Sequence, residues 1–116
     1  MKIVYIDDEA MLCRAFTAVL SSVNIPVETF TDATAALAHI DVNDVAAVFC
    51  DYRMPTMTGL DVLERVRRDV PFVLVSGDTD IVASVASNRR VSGVLSKPYR
   101  RDELLALVQR FLPAQD

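Results

Sequence analysis

Five side chains scattered along this 116-residue sequence carry groups with chemistry to offer: the acidic pair Asp7-Asp8, a third carboxylate at Asp51, a hydroxyl at Ser76 and an ammonium at Lys97. Carboxylates about 4 Å apart repel one another by roughly 1 to 4 kcal/mol per pair, depending on the local dielectric. Three of them brought together invite a cation, and an oxygen-only ligand set suits a hard ion such as Mg2+. With metal on one side and Lys97 on another, Asp51 stays ionised and can act as a nucleophile toward a phosphoryl group. Metal and ammonium would then stabilise the charge on the transferring oxygens, and the Ser76 hydroxyl could bond one of them. The reaction implied is formation of an aspartyl phosphate.

Such a cup needs a scaffold that ends several strands at one place. Val45 to Cys50 is a run of six apolar residues flanked by turn formers, which reads as a strand buried on both faces, with Asp51 at its end. Around it the chain alternates. Lys2–Ile6 is a β-branched run, and Asp7-Asp8-Glu9 suits the N-terminus of a helix whose stripe is Leu12, Phe16, Val19 and Val23. Val27–Phe30 is a second strand, and Thr31-Asp32 caps an Ala-rich helix ending near Ile40. Leu60, Leu63 and Val66 mark a third helix, stopped before Pro71. Phe72–Val75 is the fourth strand. A fourth helix is expected from about Asp80 to Arg89 on Ile81, Val82 and Val85, then a strand over Val91–Leu95 and a last helix on Leu104, Leu105, Val108, Phe111 and Leu112. Five strands alternating with five helices predict a parallel sheet wrapped on both faces, with ligands at the carboxyl ends of the strands. Asp7-Asp8, Asp51, Ser76 and Lys97 all fall at such ends.

Composition bounds the reading. With 52% apolar residues the chain can build one core, so a single domain over residues 1–116 is expected, its core about 2–112 and a short tail 113–116. Net charge is −4, which argues against general nucleic-acid binding, yet residues 89–110 alone carry six basic and two acidic residues. Neither a leader pattern nor an apolar run near eighteen residues occurs, so the expectation is a cytoplasmic protein with no membrane contact. Cys13 and Cys50 lack ligand spacing and read as reduced structural thiols. His39, without acidic or cysteine neighbours at ligand spacing, reads as exposed and functionally silent.

The ordered set Asp7-Asp8, Asp51, Met54-Pro55-x-Met57-x-Gly59, Ser76 and Lys97-Pro98-Tyr99 resembles the receiver domain of two-component response regulators over essentially the whole chain. The resemblance implies a flavodoxin-like (βα)5 three-layer sandwich with strand order 2-1-3-4-5. It further implies Asp51 as phospho-acceptor with Lys97 and Ser76 beside it, and Mg2+ held by Asp8, Asp51 and the Arg53 backbone carbonyl, with Asp7 acting largely through water. A histidine kinase or histidine phosphotransfer protein would be the donor, and Lys97-Pro98 would be a cis peptide. An output partner or attached effector module would use the face of the expected fourth helix, fifth strand and last helix, where Val94, Tyr99, Arg89, Arg90, Arg100 and Arg101 fall. A homodimer through the last helices is left open.

Taken singly, Asp7-Asp8-Glu9 serve as helix-dipole partners, Ser76 caps a turn, and Lys97 and the arginines are solvated charge; joint placement at strand ends is what favours the functional reading. The chain also departs from the family pattern. Val94 stands where a Tyr or Phe usually swings inward, and a valine has neither the area nor the rotamer throw of a ring. Arg53 and Asp78 should flank the pocket mouth and tune the lifetime of the phosphorylated form. A relay or sink module without conformational output is the alternative. A phosphohydrolase using an aspartyl phosphate would want an Asp two residues after the nucleophile, where this chain has Arg53.

Overall fold

The structure, a computed structural model, describes residues 1–78, 85 and 87–112. Its elements run β1 (Lys2–Ile6), α1 (Ala10–Ser21), β2 (Val27–Phe30), α2 (Ala33–Val42), β3 (Val45–Asp51), α3 (Gly59–Arg65), β4 (Phe72–Ser76), β5 (Gly93–Ser96) and α4 (Arg101–Gln109). Most of the expected fourth helix and the whole tail 113–116 lie outside the described residues. The five strands form one parallel sheet in the order β2-β1-β3-β4-β5, as expected.

Strand periodicity divides the core into two halves. Ile3, Tyr5, Ala47, Phe49, Val73, Val75 and Leu95 face α1 and α4, whereas Val4, Ile6, Val48, Cys50, Phe72 and Leu74 face α2 and α3. All seven residues of β3 are buried, which is what covering both sheet faces demands of the central strand. On the first face the Tyr5 ring stacks on Phe16 at 4.1 Å, and Phe16 meets Phe49 at 5.5 Å. These aromatic contacts tie β1 and β3, the two strands that end in carboxylates, to one helix.

Several boundaries differ from the sequence expectation for local reasons. The buried stripe of α1 is Cys13, Phe16 and Leu20, one position round from Leu12 and Val19, and Val23 lies beyond the helix, exposed. Helix α3 ends at Arg65, and Val66 turns extended while the Arg90 guanidinium donates to its carbonyl at 2.7 Å. Strand β5 starts at Gly93 because Ser92 pairs with Phe72 through its side chain: Phe72 N–H donates to the Ser92 hydroxyl at 3.1 Å, and Ser92 N–H to the Phe72 carbonyl at 2.7 Å. Ser87–Arg90 is turn, held by the Arg90 N–H on the Asn88 side chain, so no helix reaches Arg89. His39 is half-buried with its ring 5.2 Å from Phe30, a packing role where exposure was expected. Both cysteines are free and buried.

Helix α3 is fastened directly beneath Asp51. Thr58 and Asp61 cap it reciprocally, the Thr58 hydroxyl accepting from Asp61 N–H and the Asp61 carboxylate accepting from Thr58 N–H, and Gly59 N–H donates to the Tyr52 carbonyl at 2.8 Å. The approach leaves no room for a side chain: a Cβ on Gly59 would lie 2.6 Å from the Leu74 side chain, 3.0 Å from the Asp51 carbonyl oxygen and 3.2 Å from the Tyr52 Cα. Gly59→Ala is therefore expected to destabilise the protein by about 1–3 kcal/mol despite alanine's better helix propensity, because two of the three obstacles are backbone. A urea melt measures it, and an unchanged midpoint would show that the helix simply shifts.

Candidate functional site

Asp7 follows β1, Asp51 and Ser76 end β3 and β4, and Lys97 follows β5, so parallel strands deliver all four to one edge of the sheet. One carboxylate oxygen each of Asp7, Asp8 and Asp51 lies within 4.8 Å of the others. Lys97 Nζ is 2.9 Å from Asp51 Oδ1 and 3.7 Å from Asp7 Oδ2. Asp7 has no exposed surface, and both of its oxygens are occupied: Oδ2 accepts from the Tyr5 hydroxyl at 2.7 Å, Oδ1 from the Glu9 N–H at 3.0 Å. The Ser76 hydroxyl, also buried, accepts from Asp78 N–H at 3.0 Å. A cleft of about 500 Å³ opens here, lined by Glu9, Asp51, Arg53, Ser76, Gly77, Asp78 and Lys97.

Two of these contacts escaped the sequence reading. Tyr5 appears in the sequence as a plain strand residue, although its spacing of two from Asp7 places both side chains on one face of an extended chain. Glu9 was read for its charge at a helix terminus, yet it also lines the cleft.

Electrostatics follow from three acids facing one ammonium. Burial pushes the Asp51 carboxyl above its ordinary pKa; the Lys97 hydrogen bond and charge pull it down, while Asp7 and Asp8 push it up. For Lys97, burial works against the charged form, but the hydrogen bond and charge of Asp51, with Asp7 behind it, outweigh burial and raise its pKa. Burial likewise raises Tyr5, reinforced by its bond to Asp7, and burial foremost raises Tyr99. The residues present fit a hard divalent cation: the donors are all oxygen, one carboxylate is fully buried, and a single ammonium leaves the cluster with negative charge in excess.

Around this centre the other candidate residues fall unevenly. Arg53 and Asp78 meet across the mouth, with Arg53 Nη2 2.7 Å from Asp78 Oδ2. Val94 pairs with Leu74 in β5 and packs half-buried on the α2/α3 side of the sheet; Tyr99 packs half-buried on the α1/α4 side. Lys97-Pro98 is cis. Arg89 and Arg90 precede β5 and Arg100 and Arg101 follow it, so the two pairs stand at opposite ends of the strand. Arg100 is engaged with Asp102 and Glu103, and Arg101 with the Ser22 hydroxyl at the end of α1.

The fold and the acidic edge define a doubly wound domain with a carboxylate cluster at the carboxyl ends of its strands, and comparison with known proteins names its family. The family profile described as response regulator receiver domain matches residues 3–109, and the chain belongs to that family. Among its relatives are the response regulator protein TodT of Pseudomonas putida, 30% identical over 115 residues that cover 95% of this chain and 51% of that protein. Another is the DNA-binding response regulator MtrA of Mycobacterium leprae, 30% identical over 118 residues, covering 99% and 52%. The chain thus spans about half the length of these relatives. Among solved structures, Vibrio cholerae chemotaxis protein CheY4 superposes with a TM-score of 0.85 at 26% identity, covering 96% of this chain and 98% of that one. Thermotoga maritima TrrA, solved in complex with Mg2+-BeF, gives a TM-score of 0.85 at 23% identity, covering 97% and 100%. The fold is flavodoxin-like. Among the described residues no helix is long and apolar enough to cross a membrane.

A carboxyl whose pKa is raised by folding contributes stability at low pH, below its unfolded value, and loses it as pH rises through its folded value. Ionised Asp51 therefore costs stability near neutrality. In metal-free buffer at pH 7, Asp51→Asn is expected to melt at a higher temperature than the parent, and the difference should shrink as pH falls through the Asp51 titration. Calorimetric melts between pH 3 and 8 check this; a lower melting temperature for the variant at pH 7 contradicts it.

Proposed function

We propose that residues 2–112 form one phospho-accepting receiver domain, in which Asp51 takes a phosphoryl group from a histidine kinase or a histidine phosphotransfer protein. The observation that carries this reading is the Lys97 ammonium 2.9 Å from Asp51 within a cluster of three carboxylates. An Asp51 oxygen bonds to phosphorus as the phosphorus–nitrogen bond to the donor imidazole breaks; the electron pair stays on the nitrogen, and an acyl phosphate results. Lys97 holds a transferring oxygen by charge, and the Ser76 hydroxyl donates its proton to another, since its present bond uses only its acceptor capacity. Asp8, Asp51 and the Arg53 carbonyl would hold Mg2+, and Asp7 would act through water, a role supported by the protein hydrogen bonds already on both its oxygens. The ion supplies positive charge that offsets the carboxylates and the phosphoryl oxygens. The domain thereby catalyses its own phosphorylation and slow dephosphorylation.

Output would pass through the surface around Val94 and Tyr99, with Arg100 and Arg101 at one end of β5 and Arg89 and Arg90 at the other, to a partner or an attached effector module. Two buried free thiols support a reducing, cytoplasmic setting. A relay or sink without conformational output is supported by one feature: Val94 is already half-buried and has no ring to rotate. Hydrolysis of small phosphoesters has no such support, because position 53 holds an arginine committed to Asp78.

Incubation with a labelled small-molecule phosphodonor and Mg2+ tests the assignment. The parent protein is expected to take up label and Asp51→Asn to take up none, whereas equal labelling removes it. The Arg53–Asp78 pair should slow attack of water on the phosphorylated form. An exposed pair is worth about 0–1 kcal/mol, so Arg53→Ala and Asp78→Ala are each expected to speed dephosphorylation by up to about fivefold. Unchanged decay rates would refute the tuning role.

A further inference from the structure

At the opposite edge of the sheet from Asp51, the segments leading into β4 and β5 enclose a second cleft, of about 490 Å³, lined by Arg67, Arg68, Asp69, Val70, Pro71, Arg89, Arg90 and Ser92. Four guanidiniums facing one carboxylate is an unusual concentration for a chain whose net charge is −4. Two of the four have structural work. Arg68 donates to the Asn43 carbonyl at 2.6 Å and pairs with Asp44 at 3.0 Å, closing the C-terminal end of α2, and Arg90 takes the Val66 carbonyl beyond α3. Arg67 and Arg89 have none: both are exposed, and among the described residues neither has an ion-pair partner. Counting Asp69 and the Asp44 paired with Arg68, the cleft keeps two positive charges in excess. Ser92 adds a donor, since its hydroxyl accepts from Phe72 N–H and its own proton is not used by that bond.

We propose that this cleft binds a small pyrophosphate-bearing anion, either free pyrophosphate or its ester. Guanidiniums present paired donors matched to phosphate oxygens, and two of them anchored by protein carbonyls hold the cleft's shape before any ligand arrives. The volume lies within the range of small-molecule sites. A longer polyanion, nucleic acid or an acidic chain, meets a protein whose net charge is −4 and is repelled overall, whereas a compact anion needs only the cleft. A strand of five residues separates this site from the phospho-acceptor edge, a span of about 16 Å, so the two can be occupied at once.

Amide NMR of the full chain in EDTA, titrated with inorganic pyrophosphate and separately with a nucleoside diphosphate, tests this. Shifts confined to residues 67–71 and 89–92, weakening with added salt, are expected from both. Arg67→Gln/Arg89→Gln, which among the described residues breaks no ion pair, should lower the affinity at least tenfold, and Arg67→Gln alone should leave phosphodonor labelling of Asp51 at the parental level. Binding of pyrophosphate alone supports the site and identifies its ligand as free pyrophosphate rather than a pyrophosphate ester. No shifts, shifts spread over the surface, or full binding by the double variant overturns the site itself. Orthophosphate binding as tightly as pyrophosphate also overturns it, since one phosphate would then satisfy the cleft. Tighter binding of a single-stranded oligonucleotide than of either probe replaces the small anion with nucleic acid.

Discussion

One constraint governs this protein: three carboxylates are held at one edge of the sheet with a single ammonium among them. Such a cluster opposes its own assembly, since each acid is desolvated and each repels the others. The surrounding structure answers with hydrogen bonds. Tyr5 and the Glu9 N–H saturate Asp7, Lys97 spans Asp7 and Asp51, and Ser76 is tied to the Asp78 backbone. What remains uncompensated is negative charge facing an open cleft, the condition for attracting a divalent cation.

The two-sided hydrophobic core is what makes this affliction tolerable. Strand β3 is buried throughout, the aromatic contacts among Tyr5, Phe16 and Phe49 fix the two acid-bearing strands against α1, and Gly59 brings α3 against the backbone beside Asp51. Tyr5 belongs to both systems, its ring in the core and its hydroxyl on Asp7. Rigidity of that kind keeps the carboxylates close when relaxation would part them.

At the far edge the same topology gathers charge of the other sign. The loops that lead into β4 and β5 bring together Arg67, Arg68, Arg89 and Arg90 from two separate stretches of the chain, and helix ends occupy only half of them. Parallel strands thus bring an acidic cluster to the edge where they finish and an arginine cluster to the edge where two of them begin.

Strand identity was legible because β3 and β4 are short apolar runs whose burial does not depend on the partner's details, and the acidic pair, Asp51, Ser76 and Lys97 were legible because each sits immediately after such a run. The face of α1 was read one position off, since Leu12 and Cys13 are both apolar and only contact with the sheet selects between them. Boundaries at α3 and β5 depended on Arg90 and Ser92 bonding across the chain, which no local pattern records. Sequence alone determined which groups end the strands, because hydrophobic periodicity is a local property. Tertiary structure decided which of those groups touch, that Tyr5 serves Asp7, and that the arginines around β5 part company, because distances between segments arise only when the strands are laid side by side.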